Sequence, residues 1–128
     1  MDNIKYEFEK CVSDYNTPYV LVSSKDKRKK LGRIRVYTKV GKEDYAVKFG
    51  VENKKPIYLS CLFVEEKYRN QGVAMGLIQA VKTKFKNKAI FLHVRRDNES
   101  FDLFLKEGFT IIDKFEHCGE WDLIRLIT

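Results

Sequence analysis

An apolar segment that turns directly into a helix is the feature that most limits how this 128-residue chain can fold. The segment IYLSCLFV, residues 57–64, contains no charged residue, which is typical of an inner strand buried on both faces. After the turn YRNQG, apolar residues recur at helical spacing from Val73 to Phe85. A second strand, AIFLHV at 89–94, and a short helix within ESFDLFLKEG follow. This order predicts a sheet with helices packed on it.

The remaining segments are patterned as further strands. Residues 4–10 alternate like a strand, although apolar residues of the same stretch also recur at helical spacing. We predict strands at PYVLVSS, LGRIRVYTKV and DYAVKFGV, a hairpin turn at KVGKED, and two final strands around a turn near Cys118 and Gly119. No repeat or linker divides the chain, so we expect one domain over residues 1–128.

Several classes of protein and of site are excluded by what the sequence lacks. No apolar run approaches the roughly 20 residues that cross a bilayer, and MDNIKYEFEK does not resemble a signal peptide. We therefore expect a soluble, cytoplasmic protein with no membrane partner. The cysteines Cys11, Cys61 and Cys118 and the histidines His93 and His117 lack metal-ligand spacing. We expect reduced, mostly buried thiols and no metal.

The net charge of +7 is concentrated in the middle of the chain. Residues 23–96 contain twenty Lys and Arg against six Asp and Glu, and the densest run is KDKRKK at residues 25–30. Such a run can face nucleic acid, an acidic protein surface or a phosphorylated cofactor, and a solvated hairpin loop explains it equally well. No aromatic residue lies within it, so the stacking of single-strand binders is missing there.

The turn after the apolar segment has the pattern R-x-x-G-x-A, formed by Arg69, Gly72 and Ala74. When a helix begins directly after a buried strand, its first amides have no partner in the helix and attract an anion. The small residues let a phosphate approach the backbone, and the arginine adds positive charge. Taken alone, the pattern also fits a plain glycine turn. Between a strand and an amphipathic helix it favours a diphosphate site.

These residues resemble the GNAT superfamily of acyl-CoA-dependent N-acyltransferases. The resemblance covers residues 57–109 and is carried by LFVEEKYRNQGVAMGLI, FLHVRRDN and LFLKEGF. It implies an α/β (α+β) fold, in which a mixed, central splayed β-sheet is flanked by helices. The N-terminal helices of the family would be reduced or missing, because few residues are available for them. The resemblance also implies acetyl-CoA as cosubstrate, with its pantetheine arm between strands 57–64 and 89–94.

The resemblance further implies which residues bind the cosubstrate. Backbone groups near Leu62 to Val64 would bond the pantetheine and polarise the thioester carbonyl, and Arg69 to Ala74 would wrap the pyrophosphate. Asn98 would bond the pantetheine or lie near the thiol, and Lys106 would approach the outer phosphate. The full set is Leu62, Phe63, Val64, Arg69, Asn70, Gln71, Gly72, Val73, Ala74, Asn98 and Lys106.

The reaction implied is direct attack of a primary amine on acetyl-CoA, for which the amine must lose a proton. An α-amine, with a pKa of about 7.7 to 8.0, demands less of a base than a lysine side chain at about 10.4. Our candidate base is His93, placed where several relatives that acetylate protein N-termini have a glutamate. A hydrogen-bonded core histidine is the alternative. Glu65, Glu66 and Tyr58 are further candidates, the two glutamates only through water.

Two departures from the family pattern affect this interpretation. Phe104 stands where many members have a tyrosine that protonates the thiolate, and a shifted helix phase would place Leu103 or Leu105 there instead. None of the three can donate a proton. The missing front helices normally wall the acceptor site, so that cleft is either open or built by KDKRKK and the hairpin around Gly41.

Three functions therefore compete. The preferred one is an acetyl-CoA-dependent N-acetyltransferase whose acceptor is a protein or peptide amine or a small amine. A non-catalytic acyl-CoA-binding domain acting through a partner is the alternative, because of Phe104 and the missing helices. A basic nucleic-acid-binding module is not favoured, since it leaves the turn at Gly72 unexplained.

Overall fold

The computed structural model of the protein describes residues 3–39, 53–116 and 119–127. Within these ranges seven strands form one sheet in the order β1-β2-β3-β4-β5-β7-β6. The strands are β1 (Ile4–Val12), β2 (Pro18–Asp26), β3 (Lys29–Tyr37), β4 (Lys55–Val64), β5 (Lys88–Arg95), β6 (Thr110–Glu116) and β7 (Glu120–Ile127). The helices are a 3-10 turn (Glu66–Tyr68), α1 (Val73–Lys84) and α2 (Phe101–Lys106).

This architecture confirms the predicted mixed α+β fold. Only β4 and β5 pair in parallel, and every other neighbouring pair is antiparallel. The ambiguous first segment is a strand, as the alternation of residues 4–10 favours. The strand at DYAVKFGV and the turn at KVGKED lie outside the described residues, and so does Cys118.

Both helices pack on one face of the sheet. The buried side chains of α1 join those that alternate inward from β3, β4 and β5, including Ile34, Leu59 and Leu92, in one core cluster. Gly32 allows the close approach, because a Cβ there would lie 2.7 Å from the carbonyl oxygen of Phe63 and 3.1 Å from Val73 Cγ1. The first turn of α1 is therefore seated directly over β3.

The opposite face carries no helix in the part of the chain that the structure describes. β1 and β2 are joined by a turn, residues 13–17, in which Ser13 and Thr17 bond through their backbones at 2.9 Å. Five residues leave no room for a helix pair, which confirms the prediction of missing N-terminal helices. This face is consequently open beside the parallel strands.

Two predictions about burial are wrong for the same reason. β4 is not buried on both faces: Leu59 is buried, but Tyr58 is half-buried and Cys61 is exposed. The thiols are not mostly buried either, since Cys11 is only half-buried; both described cysteines are free. A single helix layer covers only one face of the sheet, so some side chains of the other face, Tyr58 and Cys11 among them, remain partly accessible.

No helix in the described ranges combines the length and the apolar character needed to cross a bilayer. Nor do these residues include a group of three or more His, Cys, Asp or Glu side chains placed to hold a metal ion.

Candidate active site

The parallel strands β4 and β5 form a fork. They pair from Lys55 with Lys88 to Tyr58 with Phe91, and no ladder pairing joins them beyond that point. Cys61, with a φ of 56°, marks a bulge where the pairing of β4 with β3 shifts register. A bulge bends its strand and increases the local twist. The edge of β4 that faces β5 is thereby left open from residue 59 onward.

Two adjoining cavities of about 500 Å³ and 700 Å³ occupy the fork. Leu62, Asn98 and Ser100 line both, so the cavities form one continuous cleft. The smaller cavity is lined among others by Tyr58, Ser60, Cys61, His93 and Phe104. The larger is lined among others by Phe63, Val64, Arg69, Asn70, Gly72, Val73, Ala74 and Lys106. Ten of the eleven predicted cofactor-binding residues therefore line one cleft, and their roles remain predictions.

The start of α1 presents unpaired backbone donors to the larger cavity. The first helical hydrogen bond is donated by Gly76 to the carbonyl of Gly72 at 3.0 Å, so the three preceding amides have no acceptor in the helix. Asn70 and Gly72 both have left-handed backbones, with φ of 61° and 82°. Alternation of such conformations points successive N–H groups inward and makes an anion-binding concavity. A Cβ at Gly72 would meet nothing within 4 Å, so the space over it is open.

Two polar side chains of the turn bond to the turn itself. Arg69 Nε donates to the carbonyl of Val64 at 3.1 Å, which fixes the end of β4 while the side chain still lines the larger cavity. Gln71 Nε2 donates to the carbonyl of Lys67 at 3.1 Å, and Gln71 lines neither cavity. Of the predicted set, Gln71 is thus the one residue placed outside the cleft.

Asn98 lies in the loop between β5 and α2. Its Oδ1 accepts a hydrogen bond from the backbone N–H of Ser100 at 2.8 Å, which leaves the side-chain amide nitrogen for another partner. The loop is anchored by Arg96, which bonds the fully buried carboxylate of Asp122 at 3.0 and 3.3 Å and Glu120 at 3.1 Å. Sequence reasoning missed this anchor. The only sequence feature that pointed to it was the excess of acidic residues after residue 96, which could pair with Arg95 and Arg96.

His93 and Tyr58 face each other across the fork. The Tyr58 hydroxyl is hydrogen-bonded to His93 Nδ1 and accepts the backbone N–H of His93 at 3.3 Å. Burial lowers the pKa of His93 below its ordinary value, and the carboxylate of Asp113 opposes this by raising it. The imidazole is consequently neutral at physiological pH, which is the form that accepts a proton.

Phe104 is the residue of α2 that reaches the smaller cavity. It is 1% exposed and packs edge-on against Phe109, with ring centroids 5.2 Å apart. Leu103 lines the larger cavity, and Leu105 lines neither. The helix phase therefore puts Phe104, a residue without a hydroxyl group, in the cavity that His93 and Asn98 also line.

The run KDKRKK forms the hairpin between β2 and β3, with Lys27 in a left-handed turn. Lys25 forms an ion pair with Glu7 at 2.8 Å. The adjoining Leu31 carbonyl accepts the backbone N–H of Glu65 at 2.9 Å, so the hairpin lies at the end of the sheet where β4 ends. Glu65 and Glu66 line neither cavity.

Comparison with known proteins agrees with this geometry. Residues 42–121 match the family model described as the acetyltransferase (GNAT) domain. Among curated protein sequences, none matches significantly.

Solved structures share the fold. Arabidopsis thaliana NAA60 with a bisubstrate analogue superposes with a TM-score of 0.69 at 19% identity, over 85% of this chain and 75% of that one. A GNAT family acetyltransferase from Elizabethkingia anophelis with acetyl-CoA bound gives 0.69 at 17% identity, with both chains fully covered. Arabidopsis thaliana Naa50 with the bisubstrate analogue CoA-Ac-MVNAL gives 0.61 at 19% identity, over 84% of this chain and 72% of that one.

Proposed function

The chain belongs to the GNAT acetyltransferase family, and from that premise we propose that it transfers the acetyl group of acetyl-CoA to the primary amine of a peptide or small molecule. As a family member it is an acyltransferase with acetyl-CoA as cosubstrate. One observation carries the finer proposal: the open fork between β4 and β5 joins the amides of the α1 N-terminus to His93 in a single cleft.

The residues of the cleft fit acetyl-CoA. Beyond the bulge, the backbone of Leu62 to Val64 offers hydrogen-bonding groups on the edge that β5 leaves unpaired, which suits the amides of pantetheine. The concavity at Asn70 to Ala74 suits the diphosphate. Lys106 lies on the same cavity wall and supplies a positive charge. Bound there, acetyl-CoA would supply an activated acyl carbon.

The base would act in the smaller cavity, which His93 lines. If His93 Nδ1–H donates to the Tyr58 hydroxyl, then Nε2 carries the lone pair that can take a proton from the acceptor ammonium. The amine nitrogen then attacks the thioester carbon, so that an N–C bond forms and the C–S bond breaks. The nitrogen then loses its second proton, and water relays it to the departing thiolate, because Phe104 cannot donate one.

An α-amine is the acceptor best matched to this base. Burial lowers the pKa of His93, which weakens it as a base, and an α-amine needs a weaker base than a lysine side chain. The helix-free face supports a peptide acceptor, because a peptide backbone can lie across an open sheet face. The similar structures of NAA60 and Naa50 hold bisubstrate analogues, of which one contains the peptide MVNAL.

The decisive experiment combines binding with turnover. Calorimetry with acetyl-CoA tests the cleft, and release of free CoA thiol in the presence of peptide α-amines, lysine amides and polyamines tests the reaction. We expect saturable binding and thiol release that is fastest with α-amines. Saturable binding without acceptor-dependent thiol release would overturn the proposed catalysis and favour a binding domain instead.

A further inference from the structure

The helix-free face of the sheet carries a set of aromatic and basic side chains. Because side chains alternate along a strand, Arg33 and Arg35 of β3 point away from the helices, as Tyr58 and His93 do. Tyr19 and Tyr37 pair across β2 and β3 on the same face. This face adjoins the smaller cavity through Tyr58 and His93.

Among the described residues, aromatic rings and not carboxylates hold the two arginines. The Arg35 guanidinium lies 4.6 Å from the ring centroid of Tyr19, and its Nη1 donates to the Tyr37 hydroxyl at 3.2 Å. The Arg33 guanidinium lies 4.7 Å from the ring centroid of Phe63. Within the described ranges neither makes an ion pair, whereas Arg96 does. A stacked guanidinium is pre-ordered and keeps N–H donors for a carboxylate.

The strand register sets the distance from these arginines to the proposed reaction centre. Arg35 pairs directly with Ser60, which lines the same cavity as His93. Paired strands lie about 4.8 Å apart, so β3 and β5 are about 10 Å apart where both pair with β4, at Tyr37 and Phe91, and slightly farther apart toward His93, where β4 and β5 separate. An extended chain covers about 3.4 Å per residue. A carboxylate on Arg35 would therefore lie within about three residues of an amine at His93.

Charged groups lie on both sides of His93, and Arg95 of β5 lines the same cavity. Arg33 and Arg35 lie on the β3 side, and Asp113 of β6, whose carboxylate raises the pKa of His93, lies on the other. An acceptor with a cationic amine and a nearby carboxylate matches this arrangement, with its carboxylate toward the two arginines and its amine toward Asp113. A polyamine does not, because its further ammonium groups would face the arginines.

We propose that Arg33 and Arg35 select acceptors that carry a carboxylate within about three residues of the reacting amine, either on an acidic side chain or at the carboxyl terminus of a short peptide. This rests on the proposed acetyl transfer and names its substrate class. The hairpin KDKRKK is a poorer candidate for binding this carboxylate. Its last residue, Lys30, lies five residues from Arg35 along β3, or about 17 Å.

The test uses matched acceptors that differ in one charge. They are the peptide amides Ser-Asp-Ala-Ala and Ser-Asn-Ala-Ala, and Ser-Asn-Ala with a free carboxyl terminus. For the wild type we expect kcat/KM at least about tenfold higher for acceptors with a carboxylate, the scale of a charged hydrogen bond. The first and third peptides tell the two sources of the carboxylate apart.

Variants assign the preference to the arginines. Arg35→Gln should abolish most of it, and Arg33→Gln should reduce it, with unchanged affinity for acetyl-CoA. Arg35→Lys keeps the charge and serves if Arg35→Gln does not fold. Lys29→Gln removes the same charge from the hairpin and should leave the preference intact.

Each outcome decides between the two proposals. Equal kcat/KM of the wild type for all three peptides would overturn the carboxylate preference and leave acetyl transfer standing. A loss of preference in Lys29→Gln as large as in Arg35→Gln would overturn the assignment to Arg35. Binding of acetyl-CoA without turnover of any amine would overturn the proposed transfer, and this inference with it.

Discussion

The hydroxyl of Tyr58 bridges the side chain and the backbone of His93, contacting Nδ1 and accepting the backbone N–H at 3.3 Å. The two residues lie on β4 and β5 where the parallel pairing of these strands ends. The contact therefore fixes the imidazole at the mouth of the fork.

Replacing His93 with alanine should lower turnover by about a hundredfold, the usual scale for removing a general base. Affinity for acetyl-CoA should hardly change, because His93 lies in the smaller cavity, away from the α1 N-terminus. The rate-pH profile is the sharper measurement. Burial lowers the pKa of His93, so wild-type activity should fall only as pH drops through a value below about 6.5. A profile that His93→Ala leaves unchanged would make His93 a core residue.

Replacing Tyr58 with phenylalanine should reduce kcat by about tenfold, less than the loss of His93 itself. The imidazole keeps its place in β5 but loses the hydroxyl that selects its tautomer. KM for the acceptor should stay nearly constant, and the acidic limb of the rate-pH profile should move. An unchanged limb with a changed KM would indicate that Tyr58 contacts the acceptor instead.

The sequence was informative wherever a local pattern determined a local structure. The alternation in β3, the helical spacing from Val73 and the turn at Gly72 all depend on near neighbours, and each was correctly predicted. The bulge at Cys61 was not, because a left-handed backbone at a cysteine results from strand pairing and leaves no local signature.

Contacts between distant segments were the part that sequence could not supply. Nothing in β5 and β7 taken separately indicates that Arg96 meets Asp122. The partial exposure of Tyr58 was missed likewise, since an uncharged run is buried on both faces only if helices cover both.

Replacing Phe104 with tyrosine should preserve or raise turnover. The ring lines the smaller cavity, so a hydroxyl directed into it would give the departing thiolate a proton donor. The ring is also 1% exposed, and a hydroxyl that found no partner would cost about 1 to 3 kcal/mol of stability. Thermal unfolding measured beside kcat separates these effects. Normal stability with turnover reduced tenfold would show that the family tyrosine has no equivalent place here.

Replacing Gly72 with aspartate and with asparagine tests the diphosphate site. Both residues tolerate the left-handed φ of 82°, and a Cβ there meets nothing within 4 Å, so the fold should survive in each. Only aspartate adds negative charge where the diphosphate would lie, at a cost of about 1 to 4 kcal/mol at contact distance. Acetyl-CoA should therefore bind at least about fivefold more weakly to Gly72→Asp than to Gly72→Asn. Equal dissociation constants would remove the diphosphate from this turn.

Replacing Asp122 with asparagine should loosen the loop that carries Asn98. The Asp122 carboxylate is fully buried and holds Arg96 through two hydrogen bonds of 3.0 and 3.3 Å. Because Arg96 is itself partly exposed and can be rehydrated, we expect a loss of about 1 to 2 kcal/mol in the free energy of unfolding.

In Asp122→Asn, affinity for acetyl-CoA should fall together with stability, by about threefold to tenfold, since Asn98 and Ser100 line both cavities. Glu120→Gln is the matched control: Glu120 bonds the same guanidinium at 3.1 Å but is exposed, so its loss should cost less than about 0.5 kcal/mol. Chemical denaturation and calorimetry on both variants measure the two effects. If Asp122→Asn lowered stability while acetyl-CoA bound as tightly as to the wild type, the ion pair would support the fold without positioning the loop.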